Sequence, residues 1–209
     1  MTIIAWDGHY LSADQRVTYG KVDDEYTLDH GQKLYRYTGD LLIKESPIWW
    51  IGLAGNAINA GKFLHLLNKA PAGELVDFTR GFGPQLSPPG FSLIMINLTN
   101  DCVVVEFKAF KGLFKPIVTH RTKLPVLLGS GCKISELVHS LEITDSRLMV
   151  QLGIGSDRGC GGMINYVTTE DTMVNQYTLD NQDQIQAAVK RFGVMMGLAS
   201  AQDDHYWGF

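Results

Sequence analysis

The chain has 209 residues, a formal net charge of −4 and an ordinary apolar fraction of 45%, enough to bury one sizeable core without staples. Its basic residues do not cluster on any segment, which excludes the electrostatic footprint of a nucleic-acid or anionic-membrane binder. Cys102, Cys132 and Cys160 are odd in number and hold no CxxC pair, so they read as reduced thiols of a cytoplasmic protein. No signal-peptide pattern and no bilayer-length apolar run are expected. The histidines have no metal-ligand spacing, so neither a metal nor another cofactor is expected.

In chain order, Thr2–Trp6 and Tyr10–Ala13 flank Asp7-Gly8 and predict a β-hairpin. Gly31–Tyr37 and Leu41–Ile43 flank Thr38-Gly39-Asp40 and predict another. Ile48–Leu53 reads as a buried strand. Residues 56–69 carry helical apolar spacing at Ala57, Ala60, Leu64 and Leu67, with Phe63 alongside and Asn56 as N-cap. Ala70–Pro89, rich in Pro and Gly, reads as a loop with one helical turn. Phe91–Asn97 and Cys102–Phe107 make a third hairpin around Thr99-Asn100-Asp101. A strand over Val126–Leu128 ends at Gly129-Ser130-Gly131. Helices follow over 132–141 and 145–153, then a strand over Ile164–Thr168. The helix over 183–200 has an apolar stripe through Ile185, Ala188, Val189, Phe192, Met195 and Met196. Hairpin-joined strands with grouped helices predict an α+β fold with mostly antiparallel strands, two sheets face to face and helices outside.

The chemistry centres on Met1-Thr2. A methionine before a small residue is normally trimmed, leaving Thr2 with a hydroxyl and a free α-amine. The amine, with an unperturbed pKa of about 7.7–8, is suited to take the hydroxyl proton at neutral pH. A nearby cation keeps that amine unprotonated, and a carboxylate must hold the cation. Asp14, within Ser12-Ala13-Asp14-Gln15-Arg16-Val17-Thr18, and Lys33, within Gly31-Gln32-Lys33-Leu34-Tyr35, supply both.

These segments resemble the proteasome β-subunits and the HslV-type proteases among the N-terminal-nucleophile hydrolases. The Thr2 strand start, Ala13–Thr18, Lys33-Leu34, Gly52-Leu53-Ala54-Gly55-Asn56, Gly129-Ser130-Gly131 and Asp157-Arg158-Gly159-Cys160-Gly161-Gly162 follow the order and spacing of that family's motifs along nearly the whole chain. The resemblance implies a single domain over residues 1–209 with a four-layer α-β-β-α sandwich. It implies Thr2 as nucleophile, Lys33 as the cation tuning the amine and Asp14 as its anchor. It gives the Gly55 N–H the oxyanion role, and Ser130, Asp157 and Cys160 the ordering of the amine. Thr18 would pair with an extended substrate. Val17, Tyr35, Leu53 and Ala57 would line the specificity pocket, Leu53 at its floor favouring apolar side chains.

The resemblance implies a self-assembling threonine peptidase acting on peptides or unfolded proteins. It would form a homo-oligomeric ring of six or seven subunits, single or stacked, with an ATP-dependent unfoldase partner by analogy alone. Cys160 stands where the family has serine, and a thiol is the weaker donor. The stretch from Ser130 to Asp157 is short, and Arg158-Gly159 departs from the pattern. These departures keep two alternatives open: a ring-forming scaffold or binding protein without peptidase activity, and an amidohydrolase acting on small amides.

Overall fold

The computed structural model describes residues 2–19, 26–81, 86, 88–110, 113–129, 133–157 and 159–177. The expected helix over 183–200, like Met1 and Ser130, lies outside them. The elements in order are β1 (Ile3–Trp6), β2 (Leu11–Asp14), β3 (Val17–Tyr19), β4 (Tyr26–Leu28), β5 (Leu34–Arg36), β6 (Leu41–Ile43), β7 (Ser46–Gly55), α1 (Ala57–Asn68), β8 (Gly73–Glu74), α2 (Leu75–Gly81), β9 (Phe91–Asn97), β10 (Cys102–Phe110), β11 (Leu113–Arg121), β12 (Val126–Gly129), α3 (Ser135–Ser140), α4 (Ser146–Ser156), β13 (Ile164–Val167) and β14 (Asn175–Tyr177). This is an α+β fold. Among the described strand pairings all are antiparallel except β6–β8.

One sheet runs β12-β1-β2-β13-β14. A second runs β11-β10-β9-β7-β6-β8, with β5 also on β7, and β3–β4 form a separate ribbon. Alternate residues of a strand point to opposite faces, and the burial follows that period. Ile4, Trp6, Leu11 and Ala13 of the first sheet share one apolar cluster with Trp50, Ala54, Ile94, Ile96 and Val104 of the second. The other face of β1, Ile3 and Ala5, packs with Leu137, Val138, Met149, Val150 and Leu152 of α3 and α4. The other face of the second sheet, through Ile51, Leu53, Leu93, Met95, Val103 and Val105, packs with Ala60, Phe63 and Leu67 of α1.

Two glycines permit these contacts. A Cβ on Gly52 would lie 2.7 Å from Ile94 Cγ2 and 3.1 Å from Ile4 Cγ2, so the sheets touch there at backbone distance. A Cβ on Gly153 of α4 would lie 2.2 Å from Ile3 Cδ1.

The first hairpin forms as expected, with β1 on β2 and Asp7 Oδ1 accepting from the N–H groups of His9 and Tyr10. So does the third, β9 on β10. Helix α1 begins at Ala57, and the Asn56 side chain caps it by accepting from Asn59 N. The second expected hairpin does not form. β5 pairs with β7 rather than β6, and β6 turns into β7 through Lys44 and Glu45. The loop expected from Ala70 to Pro89 contains β8 and the seven-residue α2.

Candidate functional site

The β1–β2 register sets Ile4 opposite Ala13, which brings Thr2 and Ile3 beside Asp14 at one end of the sheet. The Ile3 N–H donates to Asp14 Oδ1 at 2.9 Å. Lys33 precedes β5, and its carbonyl accepts from Leu53 N at 2.9 Å, which fixes the segment on β7. From there its Nζ donates to the same Asp14 Oδ1 at 2.6 Å. Asp14 Oδ2 accepts from Arg16 N at 3.2 Å and Gly161 N at 3.1 Å. One carboxylate thus gathers four donors from four chain segments.

The pair is secluded: Asp14 is 0% and Lys33 4% exposed. Burial is the main influence on Lys33 and pulls its pKa below the usual lysine value, while the charge and hydrogen bond of Asp14 push the other way. Such seclusion makes an ion pair costly to break and sensitive to its neighbours. Cys160 also acts electrostatically on Lys33. It is buried in the cluster that holds Ile3, and its N–H donates to Asp157 O at 2.8 Å.

β12 closes against the N-terminal residue. Gly129 has φ +65°, and a Cβ there would lie 2.1 Å from Thr2 O and 3.6 Å from Ala54 Cβ. Only glycine fits this point, where Thr2 meets the end of β7. The next β7 residue, Gly55, is exposed and also left-handed, at φ +97°. A Cβ on it would come within 2.8 Å of Phe91 Cα. Asp157 ends α4. Its Oδ1 accepts from Gly159 N at 2.9 Å, and its Oδ2 lies 3.6 Å from Lys133 Nζ.

Val17 and Thr18 lie on β3 opposite Leu28 and Thr27. Tyr35 stands opposite Ile51 on β5, and its hydroxyl donates to Gln32 O at 2.7 Å. Leu53 is buried in the cluster against α1, whereas Ala57, the first residue of α1, is exposed. The structure therefore gathers Thr2, Asp14, Lys33 and Cys160 with the Gly55 end of β7. Ser130 lies outside the described residues.

Two features were not assigned a role from the sequence. The Gly161 N–H holds Asp14, and the Gly161 carbonyl accepts from both Gln15 N and Arg16 N. The Arg16 guanidinium, stacked so close to Gly161 that a Cβ would lie 2.4 Å from its Cζ, forms a two-pronged bond with Asp29, both contacts 2.6 Å. Arg16 and Gly161 fall within segments singled out from the sequence. Asp29 carried no signal, because nothing in local spacing ties it to Arg16. Among the described residues no group of His, Cys, Asp and Glu is arranged to hold a metal ion, and no helix is long and apolar enough to cross a membrane.

No protein-family model matches the sequence, and no curated protein matches it. Solved structures do share its fold. The Anbu (ancestral beta-subunit) from Yersinia bercovieri matches with a TM-score of 0.57 at 12% identity, covering 97% of each chain. The Anbu complex from Pseudomonas aeruginosa, solved as a helical assembly, matches with a TM-score of 0.51 at 13% identity over 99% of this chain and 100% of the other. The HslV from Trypanosoma brucei matches with a TM-score of 0.48 at 16% identity over 84% of this chain and 99% of the other. At these identities the likeness is one of fold: the α+β architecture of the Anbu structures.

Proposed function

We propose that the chain is an N-terminal-nucleophile hydrolase that cleaves peptide bonds with Thr2 once Met1 is removed. The observation that carries this reading is the shared Asp14 Oδ1. It accepts from Lys33 Nζ and from the backbone N–H of the residue after Thr2, tying a buried cation to the N-terminus. The three apolar clusters support a single domain built as a four-layer α-β-β-α sandwich.

In this reading the Thr2 hydroxyl loses its proton to the Thr2 amine and attacks the substrate carbonyl carbon. The oxyanion is received by the Gly55 N–H. The amine then gives its proton to the leaving nitrogen, and water hydrolyses the ester left on Thr2. Lys33 holds positive charge near the amine and keeps it unprotonated, and Asp14 fixes Lys33. The exposed Ala57 and half-buried Val17, Thr18 and Tyr35 offer an extended substrate a docking edge. The Anbu complex from Pseudomonas aeruginosa is a helical assembly, which supports self-assembly of this chain too.

The test is intact-mass analysis of the Met1-free chain after incubation with a peptide bearing a carbonyl-trapping electrophile. One adduct per chain is expected, absent in Thr2→Ala and retained in Thr2→Ser. An unmodified Met1-free wild type overturns the covalent mechanism. That result would favour the scaffold reading, which the burial of Cys160, 1% exposed where the resembled family has serine, supports.

A further inference from the structure

A second candidate site adjoins the segment just before Lys33, with none of Thr2, Asp14 and Lys33 in its lining. A cavity of about 490 Å³ lies between the β5 segment and the β13–β14 hairpin, with Gln32, Arg36, Trp50, Asn165, Thr172 and Gln176 in its walls. That volume falls within the range of small-molecule sites. None of the lining residues is acidic.

The one cation in the wall that is charged at every working pH is Arg36. Its guanidinium lies over the Trp49 ring and donates one N–H to Trp49 O at 2.7 Å. No carboxylate pairs with it among the described residues, and burial lowers its pKa with no acidic neighbour offsetting the effect. An arginine planar on an indole, one edge occupied and its charge unmatched, is a preorganised receptor for an anion. A half-buried cation without an anion is costly to maintain unless something in the assembled or liganded state balances it.

The wall also fixes the ligand class. One permanent positive charge balances one negative charge, which favours a monocarboxylate over a phosphate dianion. A carboxylate also presents two coplanar oxygens to the guanidinium fork. Gln32 Nε2 already donates to Leu34 O at 3.0 Å and Asn165 Oδ1 already accepts from Gln15 Nε2 at 2.8 Å, so Gln32 Oε1 as acceptor, Asn165 Nδ2 as donor and the exposed Gln176 amide are the groups that match an amide a short distance from the carboxylate. We propose that this cavity binds a small monocarboxylate that carries an amide, such as an N-acylated amino acid or a short peptide end, with Arg36 taking the carboxylate.

The test uses the full chain and tryptophan fluorescence, since Trp49 and Trp50 flank the Arg36 cation. N-acetyl-alanine, its uncharged N-acetyl-alanine amide and inorganic phosphate are titrated separately. The expected result is a saturable change with the acid at millimolar concentration or below, at least tenfold weaker with the amide and with phosphate. The response is lost in Arg36→Gln and weakened in Arg36→Lys, which keeps the charge but neither the fork nor the stack on Trp49. A second variant, Gln176→Glu, places a negative charge at the rim without touching the stack on Trp49, and is expected to weaken the acid at least threefold. Equal response to acid and amide, tighter binding of phosphate, no response to the acid, or acid affinity unchanged in Gln176→Glu overturns the proposal. All readouts are independent of peptidase activity, so they stand whether or not Thr2 is a nucleophile.

Discussion

Asp14 is an acceptor at every lone pair it turns to the protein: two donors reach each oxygen. An asparagine has one acceptor oxygen and an NH2 group. Whichever way it is placed, two donors face a donor. Asp14→Asn is therefore expected to cost about 2–4 kcal/mol, read as a drop in the urea midpoint, since each buried unsatisfied group costs roughly 1–3 kcal/mol. Lys33→Met leaves the carboxylate buried without its cation and is expected to cost roughly 3–5 kcal/mol at neutral pH. The same variant tests the direction of the lysine shift. The folded Lys33 pKa is lowered, so between that value and the unfolded one the unfolded chain binds more protons. Stability then rises with pH across that window. Below it both states are charged and the desolvation cost is fully present. Urea midpoints across the alkaline range should gain in wild type relative to Lys33→Met as pH approaches the ordinary lysine value, and parallel profiles would contradict the shift. Cys102 behaves as a hydrophobe: burial pushes its thiol up to about 12. It should resist iodoacetamide at pH 8 in the folded chain and react after denaturation, followed by mass spectrometry.

At the scale of elements, β7 is the spine of the second sheet, pairing with β5, β6 and β9, and Gly52 is one of its contacts with the first sheet, beside Trp50 and Ala54. Gly52→Ala drives a methyl against Ile94 Cγ2 and Ile4 Cγ2, which is overpacking worth about 1–3 kcal/mol. Combining it with Ile94→Ala should cost less than the two changes added, because the new methyl enters the space vacated. Additive thermal melts would show that the sheets accommodate the methyl elsewhere. The strands facing apolar cores on one or both sides were legible because their pattern is dictated by burial: Phe91–Asn97 appears as read, Thr2–Trp6 forms over Ile3–Trp6, and Cys102–Phe107 continues to Phe110. Asn56 also caps as read, because its role is local. The β6–β7 turn was not legible. Lys44 and Glu45 adopt φ +50° and +64° with no Asn-Gly or Gly to announce them. The distant Glu74 stabilises the turn by accepting from both N–H groups, at 3.2 and 2.8 Å. β11 carries Pro116 among charged residues and lies at the sheet edge, where proline is tolerated and alternation weakens. The pairing of Asp14 with Lys33 follows an expectation drawn from the demands of the proposed chemistry. The Arg16–Asp29 bond was not legible, because it depends on how the loops meet in space.

At the scale of the whole molecule, the sheet–sheet cluster decides whether the chain behaves as one unit. Trp6 belongs to the first sheet and Trp50 to the second, yet both are buried in the same cluster. Neither sheet can leave without exposing that shared surface. The helices cannot hold a sheet in its absence either, since α1 packs only on the outer face of one sheet and α4 on the outer face of the other. Tryptophan fluorescence, which reports the inter-sheet layer, and far-UV circular dichroism, which reports all layers, should therefore give one coincident unfolding transition. Val104→Ala, in the middle of the shared cluster, removes two buried methyl groups. It is expected to cost about 1–3 kcal/mol, between the Ile→Val and Leu→Ala ranges, and to lower the melting temperature by roughly 2–4 °C per kcal/mol for a chain of this size. The decisive point is that both probes must move together. If fluorescence shifts while circular dichroism keeps its midpoint, the two sheets are separable units. The single-domain reading then fails, and with it the rigid framework that holds Thr2 on the first sheet against Lys33 and Gly55 on the second.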